Sequence, residues 1–331
     1  DSIVTNDNGT VTWGDGNIDV NPMFADTANG NYHLLASSQC INAGHPDSTD
    51  SDGTRADIGA YPYLNSYSGP TWYVQTDGSD TDGTGASATP FASIQSAINF
   101  ATTDGDSVTV AAGTYYEHIN TRDREIDIVG QGQDETIIDG SNSGRVFYVD
   151  SDILLDGFTI SGGGDESIGV GTGMQVWSAD PIVQNCKFVN NMRGHLGLGA
   201  CQDAKFVNTI FSYQNPNGQK WVPINSDNGT RGGDFINCLI DADGLPHAFI
   251  SNSYPSLFNC TVINYREFAY SCEGSGGTPH IINSIFYPSP NYPNAPVADT
   301  SWINNNIFID YCNFPESGTS FTNGDITVTY G

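Results

Sequence analysis

The stretch that decides the fold is "QNCKFVNN", residues 184–191, because related stretches return five more times in the second half of the chain. They read "VNTIFSYQ" from 207, "INCLIDAD" from 236, "FNCTVINY" from 258, "INSIFYPS" from 282 and "NNNIFIDY" from 304. Each contains an Asn, then a small residue, then apolar positions. The Asn recurs every 22 to 29 residues, at Asn185, Asn208, Asn237, Asn259, Asn283 and Asn305. Repeats of this length are typical of one coil of a solenoid.

The residues between the repeated Asn positions favour strands over helices. They are short runs of β-branched and aromatic residues, separated by Gly, Pro or Asn. Short strands in a coil of about 22 residues predict a parallel β-helix. Asn tolerates the positive φ of a sharp bend, and stacked Asn amides can hydrogen-bond along the solenoid axis. We therefore predict a structural ladder of the six Asn residues, with Asp156 of "ILLDGFTI" in the same place one coil earlier.

One amphipathic helix is predicted before the coils begin. In "TPFASIQSAINFATTDGD" the apolar residues recur at helical spacing, Thr89 can cap the helix and Pro90 falls in its first turn. Such a helix can cover the open end of a solenoid. We predict an all-β chain, a parallel β-helix with one short N-terminal capping helix.

Residues 70–331 resemble the right-handed parallel β-helix proteins of the pectate-lyase-like superfamily. The resemblance rests on the run from "WYVQTDGSDTDGTG" to "AAGTYYEHI", followed by "IDIVGQG", "TIIDG" and "LLDGFTISGG". It implies a right-handed β-helix. It does not imply one activity, because the superfamily includes lyases, glycoside hydrolases, adhesins and modules without known chemistry.

Residues 17–63 look like the closing segment of such a protein, although here they come first. We accordingly predict three parts: residues 1–66 as a closing segment of a preceding unit, 67–106 as the opening segment with the capping helix, and 107–331 as coils. The C-terminal "DITVTYG" alternates like a strand and joins in pattern to the N-terminal residues of a second copy. Copies of the chain, or flanking repeats, would then join head to tail into a rod.

The charge excludes one class of partner. The 331 residues contain 38 Asp and Glu against 10 Lys and Arg, a net charge of −28, so the basic footprint that nucleic acid needs is lacking. No run of residues is apolar enough for a membrane span. The composition, rich in Gly, Asn, Ser, Thr and Asp, predicts an extracellular or cell-surface protein. The seven cysteines do not form an even framework, and we expect those after the repeated Asn to be buried free thiols.

Two acidic loops are candidate calcium sites, since Ca²⁺ takes six to eight oxygen ligands. The first loop contains Asp47, Asp50, Asp52 and Asp57, and the second contains Asp77, Asp80 and Asp82. Solvated loops without metal are the alternative. The second loop lies in the resemblance described above, the first in the closing-segment-like part.

The candidate chemistry at the coils is sparse. The basic cluster Arg193, His195, Lys220 and Arg231 could neutralise a uronate and remove its proton, as β-elimination requires. The aromatic residues Trp177, Tyr213 and Trp221 could stack on sugar rings. No pectinase-like residue set is present. The sequence therefore favours a structural repeat of a surface rod, filament or adhesin, with a polysaccharide-active enzyme or carbohydrate-binding module as the alternative.

Overall fold

A computed structural model describes most of the chain. The described residues are 12, 14–102, 104–164, 169, 171–213, 223–227, 232–251, 254–272, 279–295, 298–299, 308–310, 312–313, 322–323 and 326–327. The ladder position Asn305 and the site candidates Lys220, Trp221 and Arg231 lie outside them.

Three parallel sheets form the body of the molecule, and each coil between residues 107 and 299 contributes one strand to each sheet, while sheet I has one further strand at either end. Sheet I contains Thr71–Val74, Ser107–Val110, Asp127–Val129, Leu154–Asp156, Ile182–Gln184, Lys205–Val207, Asp234–Ile236, Ser256–Phe258, His280–Ile282 and Phe308–Asp310. Sheet II contains Gly113–Tyr115, Thr136–Asp139, Thr159–Ser161, Lys187–Val189, Ile210–Ser212, Leu239–Asp241, Thr261–Ile263 and Ile285–Tyr287. Sheet III contains Ile119–Asn120, Phe147–Val149, Met174–Trp177, Leu196–Gly199, Ile224–Asp227, His247–Ser251, Phe268–Cys272 and Ala298–Asp299. The predicted all-β parallel solenoid is confirmed.

The core lies between the three sheets, and similar inward-facing side chains stack on one another in successive coils. Residues in register on neighbouring coils point to the same side, so each inward side chain meets its counterpart one coil away. Phe188 pairs in register with Phe211, and their rings stack with centroids 5.0 Å apart. Phe206 and Phe235 do the same at 4.8 Å. The cysteines Cys186, Cys238 and Cys260 are buried and free, as the sequence predicts.

The turn from sheet I to sheet II contains the repeated Asn. Asn185, Asn208, Asn237, Asn259 and Asn283 all have φ between 49° and 55°, the left-handed region that Asn tolerates. The side-chain amides also connect successive coils. Asn208 Nδ2 donates to Asn185 Oδ1, and Asn237 Nδ2 donates to Asn208 Oδ1, both at 3.2 Å.

The ladder starts differently from the sequence-based prediction. Asp156 pairs in register with Gln184, one residue before the turn position, and Gly157 with φ 81° occupies the turn itself. Glycine adopts this conformation without a Cβ penalty, so no Asn is needed there. Asp156 still joins the ladder from its own position, because its carboxylate accepts hydrogen bonds from Gln184 Nε2 and Asn185 Nδ2, both at 2.8 Å.

Helix α1, Ile94–Phe100, is shorter than the sequence suggests and begins later. Ser93 is the N-cap, and its side chain accepts a hydrogen bond from Ser96 N. The predicted cap at Thr89 is wrong because Phe91 is held in an extended conformation. Phe91 N donates to Tyr73 O at 3.0 Å, and Phe91 O accepts from Gln75 N at 2.9 Å. All residues of α1 are buried.

The segment before the solenoid packs on helix α1. It contains an antiparallel pair, Phe24–Asp26 with Asn31–Leu34, separated by a 3₁₀ turn at Thr27–Asn29. Asn99 of the helix donates through Nδ2 to Ala36 O and Ser38 O, both at 2.8 Å. Ile41 is fully buried. The division at residues 66 and 67 stays a prediction, as does the origin of residues 1–66 in a preceding unit.

Near the C-terminus the structure describes a short antiparallel pair, Thr322–Asn323 with Ile326–Thr327. Of the residues on which head-to-tail joining depends, 1–13 and 325–331, only 12, 326 and 327 lie in the described part of the chain. Among the helices that the structure describes, none has the length and apolar character to cross a membrane.

Candidate functional site

A groove on the outer face of sheet III begins with the strand Leu196–Gly199. Leu196 and Leu198 point inward and are buried. Because side chains alternate along a strand, Gly197 and Gly199 take the outward positions and leave them without side chains. The sequence "LGLG" thus produces a gap in a sheet face that is otherwise covered by side chains.

Trp177 extends over the outer glycine of this strand. Trp177 and Gly199 are in register on adjacent coils. A Cβ added to Gly199 would lie 2.4 Å from Trp177 Cε3 and 2.5 Å from Cζ3, so the edge of the indole occupies the space above Gly199. Trp177 is nevertheless 46% exposed. An exposed indole that packs over a glycine of the sheet offers a surface on which an apolar face of a ligand can pack.

The walls of the groove are amides and a second aromatic ring. Tyr148, Gln175, Gly197 and Asn225 lie in register on four successive coils. Gln175 Nε2 donates to Val176 O at 3.0 Å and to Gly197 O at 3.2 Å. Asn225 Oδ1 is buried and has no hydrogen-bond partner among the described residues, so an acceptor at this wall is unused.

Arg145 contributes the positive charge at the groove. Its guanidinium lies 5.9 Å from the centre of the Tyr148 ring, and its Nε donates to Gly171 O at 3.2 Å. Burial lowers the pKa of Arg145. Burial raises the pKa of Tyr148, and the nearby Asp150 carboxylate raises it further.

The groove is a cavity of about 240 Å³, lined by Arg145, Tyr148, Gln175, Trp177, Gly197, Leu198, Gly199 and Asn225. Ligand pockets are typically about 300–1,000 Å³, so this one suits a single unit of a longer chain molecule. The lining combines aromatic faces with amide groups, which fits a sugar ring that is apolar on its faces and polar at its edges. None of these eight residues is a carboxylate, His, Ser or Cys, so Tyr148 is the one side chain among them of a type that commonly acts as a general acid or base.

A second, more open cleft of about 550 Å³ borders the Asn ladder. Its lining contains Gln131, Gln133, Asp134, Glu135, Asp156, Asn185 and Asn208, together with the glycines 130, 132 and 157. It has no aromatic residue, and its ladder side chains already bond to one another. The sheet III groove is therefore the better candidate binding site.

The predicted basic cluster does not present His195 to solvent. His195 is fully buried, and its ring packs on Tyr213 with centroids 4.3 Å apart. Its Nδ1 lies 3.2 Å from Asn191 Nδ2. Burial lowers the pKa of His195 to about 3, so the ring is neutral at physiological pH. His195 therefore does not fit the predicted catalytic role, because its burial against Tyr213 is a tertiary contact that the spacing in "NNMRGHLG" does not reveal. Arg193 is half-buried, and its backbone N–H donates to Thr172 Oγ1 at 3.1 Å.

Of the predicted sugar-binding aromatics, the structure brings only Trp177 into the groove among the residues it describes. Tyr213 is 8% exposed and packs on His195, so its ring faces are not available to a sugar. Arg145, Tyr148, Gln175 and Asn225 were not predicted from the sequence. The signal that could have located the groove is the alternation of Leu and Gly at 196–199.

The acidic loops are organised by hydrogen bonds to backbone N–H groups. Asp57 Oδ1 accepts from Asn42 N at 2.7 Å, and Asp57 Oδ2 accepts from Tyr63 N at 2.8 Å. Asp52 Oδ1 accepts from Thr54 N and Oδ2 from Asn65 N. In the second loop Asp80 Oδ1 accepts from Ala92 N, Ser93 N and Ser96 Oγ.

These carboxylates do not converge on a metal-sized space. Within the described ranges, no group of three or more His, Cys, Asp or Glu side chains is arranged to hold a metal ion. The oxygens of Asp52, Asp57 and Asp80 that bond to the loop backbone would have to give up those bonds to ligate Ca²⁺. The fit is poor, and calcium binding at Asp47, Asp50, Asp52, Asp57, Asp77, Asp80 and Asp82 stays a sequence-based prediction.

Comparison with known proteins places the fold. No protein-family model and no curated protein matches the sequence. A rhamnogalacturonan lyase structure matches with a TM-score of 0.53 and 16% identity, over 66% of this chain and 69% of that one. A pectin methylesterase from carrot matches with a TM-score of 0.50 and 11% identity, over 78% and 86% of the two chains. At such identities the likeness shows the fold alone. The chain has the right-handed parallel β-helix fold of the pectate-lyase-like proteins, as the sequence resemblance implied.

Proposed function

We propose that the protein is an extracellular carbohydrate-binding β-helix that holds one unit of a polysaccharide in the sheet III groove. The observation that carries the proposal is the exposed Trp177 indole held over Gly199, beside amides and a tyrosine at the spacing of successive coils. Sugar rings bind aromatic side chains through their C–H faces and amides through their hydroxyls, so the lining matches a saccharide better than a purely apolar ligand.

The fold neighbours support a carbohydrate ligand. Their names describe a rhamnogalacturonan lyase and a pectin methylesterase, both enzymes that act on polysaccharides. A polysaccharide-active enzyme is therefore the second candidate. Binding without catalysis is preferred because the eight described residues of the groove lining include no carboxylate, His, Ser or Cys, and because His195 of the predicted basic cluster is buried.

The surface rod, filament or adhesin repeat that the sequence suggests is compatible with a sugar-binding face. A solenoid that displays a groove on one face could serve as a repeat of a longer assembly. The head-to-tail contact with copies of itself, or with flanking repeats, is a prediction from the sequence pattern of residues 1–13 and 325–331.

The proposal is tested by calorimetric titration with oligosaccharides derived from pectin and rhamnogalacturonan. Wild type should bind at least one of them, and Trp177→Ala should weaken that binding by about tenfold, the effect of losing one well-packed aromatic contact of about 1.4 kcal/mol. Tyr116→Ala is the matched control, because Tyr116 is 72% exposed and does not line the groove. Equal loss in both variants, or release of sugar products by wild type, would contradict a binding role centred on Trp177.

A further inference from the structure

We infer that the groove selects an uncharged sugar unit over one that carries a carboxylate. This inference rests on the proposed carbohydrate binding and concerns the class of ligand. Three features support it: the neutral hydrogen-bonding groups of the lining, the contacts of its one charged side chain, and the negative charges next to the groove.

The hydrogen-bonding side chains at the centre of the groove are neutral. Gln175 and Asn225 are in register on either side of Gly197. Their amides can pair with hydroxyl groups, which both donate and accept. A carboxylate only accepts, so it would leave the unpaired Asn225 Oδ1 facing another acceptor. A hydroxymethyl group at the same place can donate to that oxygen.

Arg145 is the one charged side chain among the described residues of the lining, and one of the two edges through which its guanidinium could bind a carboxylate is already engaged. Arginine binds carboxylates most strongly through two parallel N–H groups. The pair that includes Nε is compromised because Nε donates to Gly171 O. The guanidinium also lies over the Tyr148 ring, where it makes a cation–π contact at one side of the groove.

The surroundings of the groove are acidic. Asp150 and Asp123 both act electrostatically on Tyr148, and Asp150 Oδ1 accepts from Thr121 Oγ1 at 2.6 Å and from Asp123 N at 2.9 Å, which fixes its position. The whole chain has a net charge of −28. A polyanionic chain crossing this face would be repelled over a Debye length, about 10 Å at 0.1 M salt. An uncharged chain would not be.

The test compares an oligogalacturonide with the same oligosaccharide after reduction of its carboxylates to hydroxymethyl groups, so that length and linkage are unchanged. Calorimetric titrations are run in about 0.01 M and about 1 M NaCl, where the Debye length is about 30 Å and 3 Å. In low salt the reduced form should bind about tenfold more tightly or better, and the acidic form should gain affinity as salt rises.

The outcomes separate this inference from the proposed function. If the acidic form binds as tightly as the reduced form in low salt and weakens as salt rises, Arg145 recognises a carboxylate and the inference is wrong, while carbohydrate binding stands. If neither form and no other oligosaccharide binds, the proposed function fails and the inference fails with it. Asp123→Asn should raise the affinity for the acidic form by about twofold without changing that of the reduced form. Asp134→Asn, an exposed carboxylate at the other cleft, is the control and should change neither.

Discussion

Replacing Gly199 with alanine should displace Trp177 without disturbing the core. The new Cβ would lie 2.4 Å from Trp177 Cε3 and 2.5 Å from Cζ3. Carbon atoms in contact prefer about 3.5–4.0 Å, so the indole must move by about 1 Å or more. The indole is half exposed and free to swing outward, whereas Leu196 and Leu198 on the inner side of the strand are not touched.

The expected cost divides between stability and binding. An indole forced about 30° from its rotamer costs about 0.5–1.5 kcal/mol, and the exposed side of the ring can absorb the strain, so the free energy of unfolding should fall by about 1 kcal/mol. Binding should fall more clearly. A displaced ring loses a stacking contact of about 0.5–1.5 kcal/mol, which corresponds to a loss of affinity of about two- to tenfold.

Two measurements follow the displacement. Near-ultraviolet circular dichroism reports on the indole environment without ligand, and calorimetric titration with the oligosaccharide that binds wild type reports on affinity. Gly169→Ala is the matched control, since a Cβ at Gly169 meets no atom within 4 Å and its φ is not positive. If Gly199→Ala keeps the wild-type spectrum and the wild-type affinity, then Gly199 does not position Trp177 and the description of the groove is wrong.

Three further results are expected. Asn208→Ala should lower the free energy of unfolding by about 2 kcal/mol, because alanine is disfavoured at φ 49° and two ladder bonds are lost. Asn208→Gly should lower it by about half as much, because glycine tolerates this φ. Urea unfolding measures both values, and equal losses would contradict the role of positive φ. Burial lowers the pKa of His195 to about 3, against about 6.5 in the unfolded chain, so the unfolded state binds more protons between these pH values. The free energy of unfolding should therefore fall by up to about 1.4 kcal/mol per pH unit as the pH drops from 6.5 toward 3. His195→Phe should flatten this slope in urea unfolding at several pH values, and an unchanged slope would show that another group titrates. Finally, because the loop carboxylates already bond to backbone N–H groups, the melting temperature should be the same with EDTA and with calcium. A rise in melting temperature with calcium would instead support the metal sites predicted from the sequence.

The fold was largely predictable because the residues that determine its turns recur at regular intervals in the sequence. Positive φ is rare outside Gly and Asn, so the repeated Asn marks one turn in each coil from Asn185 to Asn283 and reveals the coil length. The start of the ladder was predicted one residue too early because Gly157 adopts the positive φ of this turn, as Asn does in the later coils. Helix α1 was predicted too long because Phe91 fits a helical spacing and yet hydrogen-bonds with the strand Thr71–Val74.

The groove was less predictable because its residues come from four coils separated by loops of unequal length. Register decides which outward positions become neighbours, and the spacing of single residues does not reveal it. Trp177 was identified as an aromatic near the edge, whereas Tyr213 was misjudged because burial against His195 is a tertiary contact. The alternation at 196–199 did contain the information, since glycine at outward strand positions marks a close approach by another group.

Carbohydrate binding at Trp177 is tested most directly by following the indole N–H signals of the five tryptophans in a ¹H–¹⁵N spectrum while an oligosaccharide is added, with the Trp177 signal assigned from its loss in Trp177→Phe. The groove predicts that the Trp177 signal shifts progressively and saturates, while the signal of the buried Trp72 stays in place. A Trp177 signal that does not move, at sugar concentrations that shift other residues, would contradict a binding site on sheet III.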